Sequence, residues 1–323
     1  MCVYWNSKNC INMSTGYKTL LSIVIPVLND NEEANLTIES IRATSPNDVE
    51  IIVVDDCSDT PVKLTDPHVK LTRREQRMGA GNSKHLGVEL ANSKHVLLID
   101  SHMRFANDWY EQAMKLLPDS PKTLWCAICI GLNKDCMDMA HPRGAYYGAN
   151  LVLYDDKKRI FQGVWTKKMP GENYEISCAM GACYFVNRDW FLRIGGTKSH
   201  KMWGSLEPFI SIKYWLSGGE VRLMSNVKIG HKFRNEAPYS TEIKYIEYNK
   251  IRPMKTILPD EMYKLLLSKI PDDVNKVSAL QIIEKEKGDI ESEQEHYRKI
   301  FVHDIYWFLK KFGISNPCEQ VGG

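Results

Sequence analysis

Short, unbroken apolar runs alternate with segments of helical period through the first 130 residues. Leu21–Leu28, Glu50–Val54, His95–Ile99 and Leu124–Ile130 read as strands that are apolar on both faces. Between them, Asn31–Ala43, Gly79–Ala91 and Asn107–Leu117 repeat their apolar positions every three or four residues and read as helices. Strands of this kind, separated by helices, predict an α/β fold with a parallel sheet covered on both sides. Such sheets bind ligands beyond the carboxyl ends of their strands. Asp55, Asp56 and Asp100 fall at those ends.

From about Gly144 the pattern becomes mixed, with aromatic-rich strands, a short helix over Arg188–Ile194 and another over Glu207–Leu216. Beyond Pro259 the chain turns polar and helical, with helices expected at Asp260–Ile270, Asp272–Lys287 and Glu291–Phe312. In the last of these, Ile300, Phe301, Ile305, Phe308, Leu309 and Phe312 recur at helical spacing, which predicts packing on a neighbouring element. The expected organisation is an N-terminal extension (1–19), one α/β domain (20–255, in halves 20–140 and 141–255) and a helical C-terminal region (256–323).

Composition adds limits. With 43% hydrophobic and 25% charged residues the chain reads as an ordinary globular protein. No apolar run approaches the roughly 18 residues needed to span a bilayer. The longest, Leu20–Leu28, is interrupted by Ser22 and Pro26. The first 19 residues lack a basic region followed by an apolar one, so no signal peptide and no membrane insertion are expected. Nine cysteines are scattered without regular spacing, which favours free thiols and a reducing, cytoplasmic setting, that of a bacterium or a virus-infected bacterial cell. Charge is uneven. Residues 1–140 carry 14 Lys+Arg against 18 Asp+Glu, residues 141–255 carry 19 against 10, and residues 256–323 carry 9 against 12.

The first candidate chemistry is Asp100-Ser-His102, two ligand types two residues apart on an extended segment past a strand. A carboxylate with an imidazole suits Mn²⁺ or a similar borderline ion better than Ca²⁺. Alone, this spacing is a weak signal that also fits a strand-end turn. His231, in Lys228-Ile-Gly-His-Lys-Phe-Arg234, reads alone as a loop or core histidine.

Together the segments say more. Ser22-Ile-Val-Ile-Pro-Val, Val53-Val-Asp-Asp-Cys-Ser58, Gln76-Arg-Met-Gly-Ala-Gly, Leu98-Ile-Asp-Ser-His102, Ala179-Met-Gly-Ala, Trp203-Gly, Trp215-Leu-Ser-Gly-Gly219 and Gly230-His-Lys-Phe-Arg234 with Pro238-Tyr239 occur in order. In these pieces, over about residues 20–255, the chain resembles the polypeptide N-acetylgalactosaminyltransferase family and, more broadly, the family 2 glycosyltransferases of GT-A fold. The Asp-Ser-His and Gly-His-x-Phe-Arg-x-x-x-Pro-Tyr elements belong to the narrower family.

The resemblance implies a UDP-sugar donor and a divalent ion, Mn²⁺ or Mg²⁺, held by Asp100, His102 and His231. It implies that residues 20–140 form the donor half and residues 141–255 the acceptor half. Pro26, Val27 and Asp55 would line a uridine pocket, with Asp55 or Asp56 accepting from the base or ribose. Ser101 would stand with the donor-binding groups. Arg77 and Lys84 fall where related enzymes keep basic residues against the donor, though solvated surface charge fits them equally well. Gly181 would let the backbone approach the donor sugar. Arg234 and Tyr239 would belong to a closing loop that excludes water. Trp203 would serve as a platform for a sugar or base, whereas Trp165 and Trp215 read as core. Glu207 stands one place later than the family's acidic residue. An ungapped alignment fixed by Trp203 and Trp215 puts Leu206 there. Glu207 would act as the acceptor's base, contact donor or acceptor, or simply start a helix before Pro208.

The basic middle segment points to a polyanionic acceptor such as double-stranded DNA. The favoured expectation is DNA modification, with sugar added to a hydroxymethylated pyrimidine. The alternative is a bacterial-type transferase acting on a surface glycan, a lipid carrier or a protein Ser/Thr. These 323 residues carry no signal anchor or lectin-like domain, which points away from a secretory protein-glycosylating role. A third class is a non-catalytic binding protein on a transferase fold.

Overall fold

The computed structural model describes residues 19–132, 144–169, 174–234 and 238–319. The expected N-terminal extension, apart from residue 19, lies outside them. The apolar runs do form the central strands. β1 (Thr19–Val27) is flanked by β2 (Glu50–Asp55) and β4 (Ser93–Ile99), both parallel to it, and β3 (Lys70–Arg73) continues the order beyond β2. Every residue of β1 from Leu21 to Val27 is buried, because α1 (Asn31–Thr44) and α2 (Ala80–Leu90) cover the sheet. The α1 helix turns Ala34, Ile38 and Ile41 inward.

The sheet is mixed where a parallel one was expected. β10 (Cys183–Asn187) runs antiparallel between β4 and β6 (Thr123–Leu132). The long β11 (Glu220–Lys232) returns parallel to β6, and β5 (Met103–Phe105) closes that edge antiparallel to β11. β7 (Gly144–Tyr146) pairs with β6, and β8 (Ala149–Tyr154) with β9 (Ile160–Trp165) makes a separate hairpin. Inserting β10 reversed lets residues 181 and 182 enter the sheet at the edge where β4 leaves it. The Asp100 N–H donates to the Ala182 carbonyl at 3.1 Å there.

α3 (Trp109–Met114), α4 (Arg188–Arg193) and α5 (Leu206–Leu216) pack on the sheet. The sequence did not mark α6 (Ile243–Ile257), which carries Pro253 inside it and runs across residue 255. The helical tail holds α7 (Asp260–Lys269), α8 (Val274–Lys285), α9 (Lys287–Ile300) and α10 (Ile305–Phe312). The single helix expected over Glu291–Phe312 is broken at Phe301, and Asp304 restarts it by capping the Trp307 N–H at 2.8 Å. The expected packing of the tail is present. Ile305, Phe308 and Leu309 are buried, and the Phe312 ring stands 5.1 Å from that of Trp215 on α5.

The six described cysteines are all free. Cys126 and Cys129 form a Cys-x-x-Cys pair, but they lie within β6, where residues three apart face opposite sides of the sheet. Among the described residues, no helix is long and apolar enough to cross a membrane.

Candidate active site

Three chain segments meet at the carboxyl edge of the sheet. β4 ends at Ile99 and delivers Asp100, and three residues on, at Met103, the chain enters β5. The His231 backbone is registered against Met103 of β5 and Gly131 of β6. The pairing of β11 therefore carries His231 to the Asp100-Ser-His102 segment. One ligand atom from each of Asp100, His102 and His231 lies within 4.8 Å of the others. Nε2 of His231 stands 3.5 Å from Oδ2 of Asp100, and the two imidazole rings are 4.9 Å apart. Donors about 2.1 Å from a common ion stand about 3–4 Å apart; the 3.5 Å His231–Asp100 pair meets that spacing, and at the 4.8 Å limit a donor would move inward to share one divalent cation. Phe233 packs edge-on against His231 at 4.5 Å and holds its ring.

The electrostatics keep Asp100 ionised. Burial alone would raise its carboxyl, but the Lys84 ammonium and His231 outweigh burial and hold it far below the ordinary carboxylate range. Nζ of Lys84 sits 3.0 Å from Oδ1 of Asp100 and is almost fully enclosed. Lys84 is therefore no solvated surface lysine. It neutralises one oxygen of Asp100 and leaves the other for the histidine side. Burial likewise lowers the proton affinity of His231, which keeps a ligand imidazole neutral.

Around these groups lies a cavity of about 630 Å³. Pro26, Val27, Asp56, Arg77, Lys84, Ser101, Gly181, Trp203, Glu207, Arg234 and Tyr239 all line it together with the three candidate ligands. Asp55 alone of the expected donor-side residues does not line this cavity. Its carboxylate accepts from the N–H groups of Ser58 and Val62 at 2.8 and 3.2 Å and pairs with Arg73, so it braces the 55–62 turn beneath the cavity lining. Asp56 does reach the cavity, and it accepts from the N–H groups of Met78 and Gly79 at 3.0 and 2.7 Å.

Gly79 adopts φ +95°, and a Cβ there would lie 2.2 Å from the Met202 backbone. Residues 79 and 202 are bridged, which ties the start of α2 to the segment carrying Trp203. Trp203 itself is 50% exposed at the cavity. Arg77 lies over the Tyr239 ring at 5.1 Å and donates to the Ser240 carbonyl at 3.1 Å.

Glu207 occupies the first turn of α5, and burial raises its carboxyl above the ordinary value. A Cβ on Gly181 would stand 3.0 Å from Oε1 of Glu207. The space left by that missing side chain is thus taken by the Glu207 carboxylate. Trp165 was read as core, but it lines the cavity beside Tyr146 and Phe233. Trp215 is core, with its indole N–H donating to the Ile176 carbonyl at 3.2 Å.

Sequence reasoning missed Asp30, Ile246 and Lys250. Ile246 and Lys250 line the cavity from α6. Asp30 precedes α1 at the cap position yet makes no capping bond. Its Oδ2 instead accepts from Ser101 and Arg234 and stands 3.3 Å from Nδ1 of His102. Burial would raise the Asp30 carboxyl, but these three partners pull it down to about 2.

Four of the cations in residues 141–255 meet carboxylates from outside that segment. Lys232 pairs with Glu33, Arg234 with Asp30, Lys201 with Glu286 at 3.0 Å, and Arg252 with Glu286 and Glu293.

A mixed sheet with the parallel β3-β2-β1-β4 block, a cavity at its carboxyl edge and an Asp-x-His pair at the end of β4 is the GT-A architecture of sugar-nucleotide transferases. The family description "Glycosyl transferase family 2" matches residues 22–195, more than half of the chain, and the protein belongs to that family. It is 26% identical over 306 residues to polypeptide N-acetylgalactosaminyltransferase 10 of Mus musculus, covering 90% of this chain and 50% of that protein. The Homo sapiens enzyme of the same name is 26% identical over 311 residues, covering 92% and 50%. A crystal structure of GalNAc-T7 with UDP, GalNAc and Mn²⁺ superposes with a TM-score of 0.67 at 17% identity, over 91% of this chain and 56% of that one. The chain therefore spans about half the length of the curated relatives it matches.

Proposed function

We propose that the protein transfers a hexosyl or N-acetylhexosaminyl group from a UDP-sugar to an acceptor hydroxyl, using Mn²⁺ or Mg²⁺ held by Asp100, His102 and His231. The observation that carries this reading is the convergence of those three donors within 4.8 Å inside the 630 Å³ cavity. The GalNAc-T7 crystal holds UDP, GalNAc and Mn²⁺, the ligand set this reading assigns. When bound, the ion acts as a Lewis acid that neutralises charge on the leaving diphosphate.

The chain's own groups do the rest. Lys84 holds Asp100 ionised. Pro26, Val27 and Asp56 receive the nucleoside, with Asp56 fixing the 78–79 backbone at the pocket wall through the Met78 and Gly79 N–H groups. Arg77, Arg234 and Tyr239 face the diphosphate, where two guanidinium groups and a phenol exclude water and favour transfer over hydrolysis. Glu207, with its raised proton affinity, takes the proton of the acceptor hydroxyl. Trp203 offers an exposed aromatic face to the incoming acceptor.

The acceptor this reading favours is a polypeptide Ser/Thr hydroxyl. The matched relatives are named for polypeptide transfer, and the two cations of the segment nearest the candidate metal site, Lys232 and Arg234, are each paired with a carboxylate of the fold. Duplex DNA bearing hydroxymethylated pyrimidine is the second reading, favoured by exposed Lys157, Lys158, Lys167 and Lys168 around the β8–β9 hairpin. Free thiols fit a reducing compartment such as the cytoplasm.

The test incubates the protein and Mn²⁺ with a panel of UDP-sugars, and separately with Ser/Thr peptides and with plain or hydroxymethylated duplex DNA. Product masses identify donor and acceptor. Metal-dependent UDP release that disappears in Asp100→Ala supports transferase chemistry. Silence toward every UDP-sugar overturns it and leaves a binding protein.

A further inference from the structure

Asp30 spends its side chain in an unusual way. An aspartate just ahead of a helix ordinarily accepts from the helix's first N–H groups, worth about 1 kcal/mol. Here α1 begins at Asn31, and Asp30 makes no such bond. One oxygen, Oδ2, gathers Ser101, Nδ1 of His102 and the Arg234 guanidinium. Two of these partners belong to different halves of the candidate site. His102 is a metal-ligand candidate, and Arg234 lines the cavity.

We propose that Asp30 is a positioning residue that couples the metal centre to the diphosphate-facing arginine, resting on the UDP-sugar reading given above. On the metal side, a carboxylate facing Nδ1 makes that nitrogen the proton-bearing one. Nε2 of His102 is then the free lone pair for the ion, the arrangement that orients ligand imidazoles in many metal sites. On the nucleotide side, the same oxygen holds Arg234 in an ion pair, so a diphosphate must compete with Asp30 for that guanidinium. Metal binding is helped and premature diphosphate capture is hindered. Donor is thereby taken up with its metal rather than before it.

The nearby Glu33 strengthens the arrangement. It pairs with Lys232 and, at 3.1 Å, with Arg104 of β5, so Glu33 and Asp30 each hold one residue of the His231–Arg234 segment. Losing Asp30 releases Arg234 without releasing the backbone that carries His231.

The two sides give effects of opposite sign, which a merely structural role does not. In Asp30→Asn, Mn²⁺ affinity, read by electron paramagnetic resonance titration of free Mn²⁺, is expected to fall about tenfold. UDP affinity measured by calorimetry in chelator is expected to rise about fivefold, because Arg234 is free to bind phosphate. Unchanged Mn²⁺ affinity, or weakening of both ligands together, overturns the proposal. Should Asp30→Asn fail to fold, Arg234→Gln serves. It is expected to leave Mn²⁺ affinity within about twofold while weakening metal-free UDP, and a tenfold loss of Mn²⁺ affinity there counts against Asp30's separate hold on His102. A wild-type protein that binds neither Mn²⁺ nor UDP removes the underlying reading itself, an outcome distinct from either variant result.

Discussion

Lys84 and Asp100 form an ion pair in which a cavity carboxylate meets an almost fully buried ammonium, 3.0 Å apart. Burial would lower the proton affinity of Lys84, but Asp100 more than compensates, so both stay charged. Lys84→Met leaves Asp100 facing two imidazoles with no fixed cation. The expected loss is about 2–3 kcal/mol in metal-free protein, somewhat below that of a fully buried pair because Asp100 is partly exposed. Mn²⁺ should restore part of it. Urea unfolding with and without Mn²⁺ measures both, and a variant as stable as wild type without metal would contradict the electrostatic account.

Gly181 and Glu207 give a second expectation. In Gly181→Ala the new methyl meets Oε1 at 3.0 Å, against the movable end of a side chain rather than backbone. Stability should change by less than about 1 kcal/mol. Displacing Glu207 should instead lower kcat by about 10- to 100-fold. Steady-state kinetics beside a melting curve separate these, and an unaltered kcat would show that Glu207 has no part in the transfer.

Gly79→Ala should behave in the reverse way. Here the Cβ would lie 2.2 Å from backbone atoms of Met202, at φ +95°. Neither side can yield, so a loss of at least about 2–3 kcal/mol is expected. Opening of the 79–202 bridge should also expose Trp203 further, visible as a red shift of tryptophan emission. Retention of full stability would mean that the bridge is dispensable.

Acid should destabilise the fold earlier than its carboxylates require. Burial pushes His85, His95 and His200 each down to about 4. In the unfolded chain these imidazoles protonate near the ordinary 6.5. Between pH 6.5 and 4 the unfolded state binds more protons, so stability is complete above pH 6.5 and is lost as pH falls toward 4. Each histidine should contribute on the order of 3 kcal/mol to that loss. Denaturant midpoints at pH 7, 6, 5 and 4.5 give the slope. The slope should diminish in His85→Gln, whose wild-type Nδ1 accepts from the Thr197 N–H at 3.3 Å.

Much of the donor-side fold was legible because buried parallel strands leave an unmistakable trace, an apolar run with no alternation. Leu21–Leu28, Glu50–Val54 and His95–Ile99 show it directly. β3 left no such trace, since its four residues Lys70–Arg73 sit exposed or half-exposed at the sheet edge. The reversal of β10 was invisible for another reason. Cys183–Asn187 is as apolar as a parallel strand would be, and direction is fixed by the turn at residues 181–182, where Ala182 adopts φ +89°. α6 was hidden by Pro253, which ordinarily ends a helix but here sits in its buried face.

The site divides along the same line. Asp100, His102 and His231 were found by their order among recognisable motifs, although periodicity alone could not have joined residues 102 and 231. Asp55 and Asp56 could not be told apart in sequence. Both carboxylates accept from backbone N–H groups, and only the folded structure shows that Asp56 lines the cavity while Asp55 does not. Asp30 was masked by its position before a helix, where an aspartate already has an ordinary explanation.

The pairing of His231 with Met103 has a kinetic consequence. The third candidate ligand arrives on the last strand of the sheet, registered between β5 and β6, more than a hundred residues after the other two. Local structure can form early around Asp100 and His102, but the three-donor set exists only once this long-range contact has closed, a slow kind of event in a folding chain. Capacity to take up a divalent ion is therefore a clock for the molecule. It should appear after secondary structure and compaction and mark the moment when β11 has docked between β5 and β6.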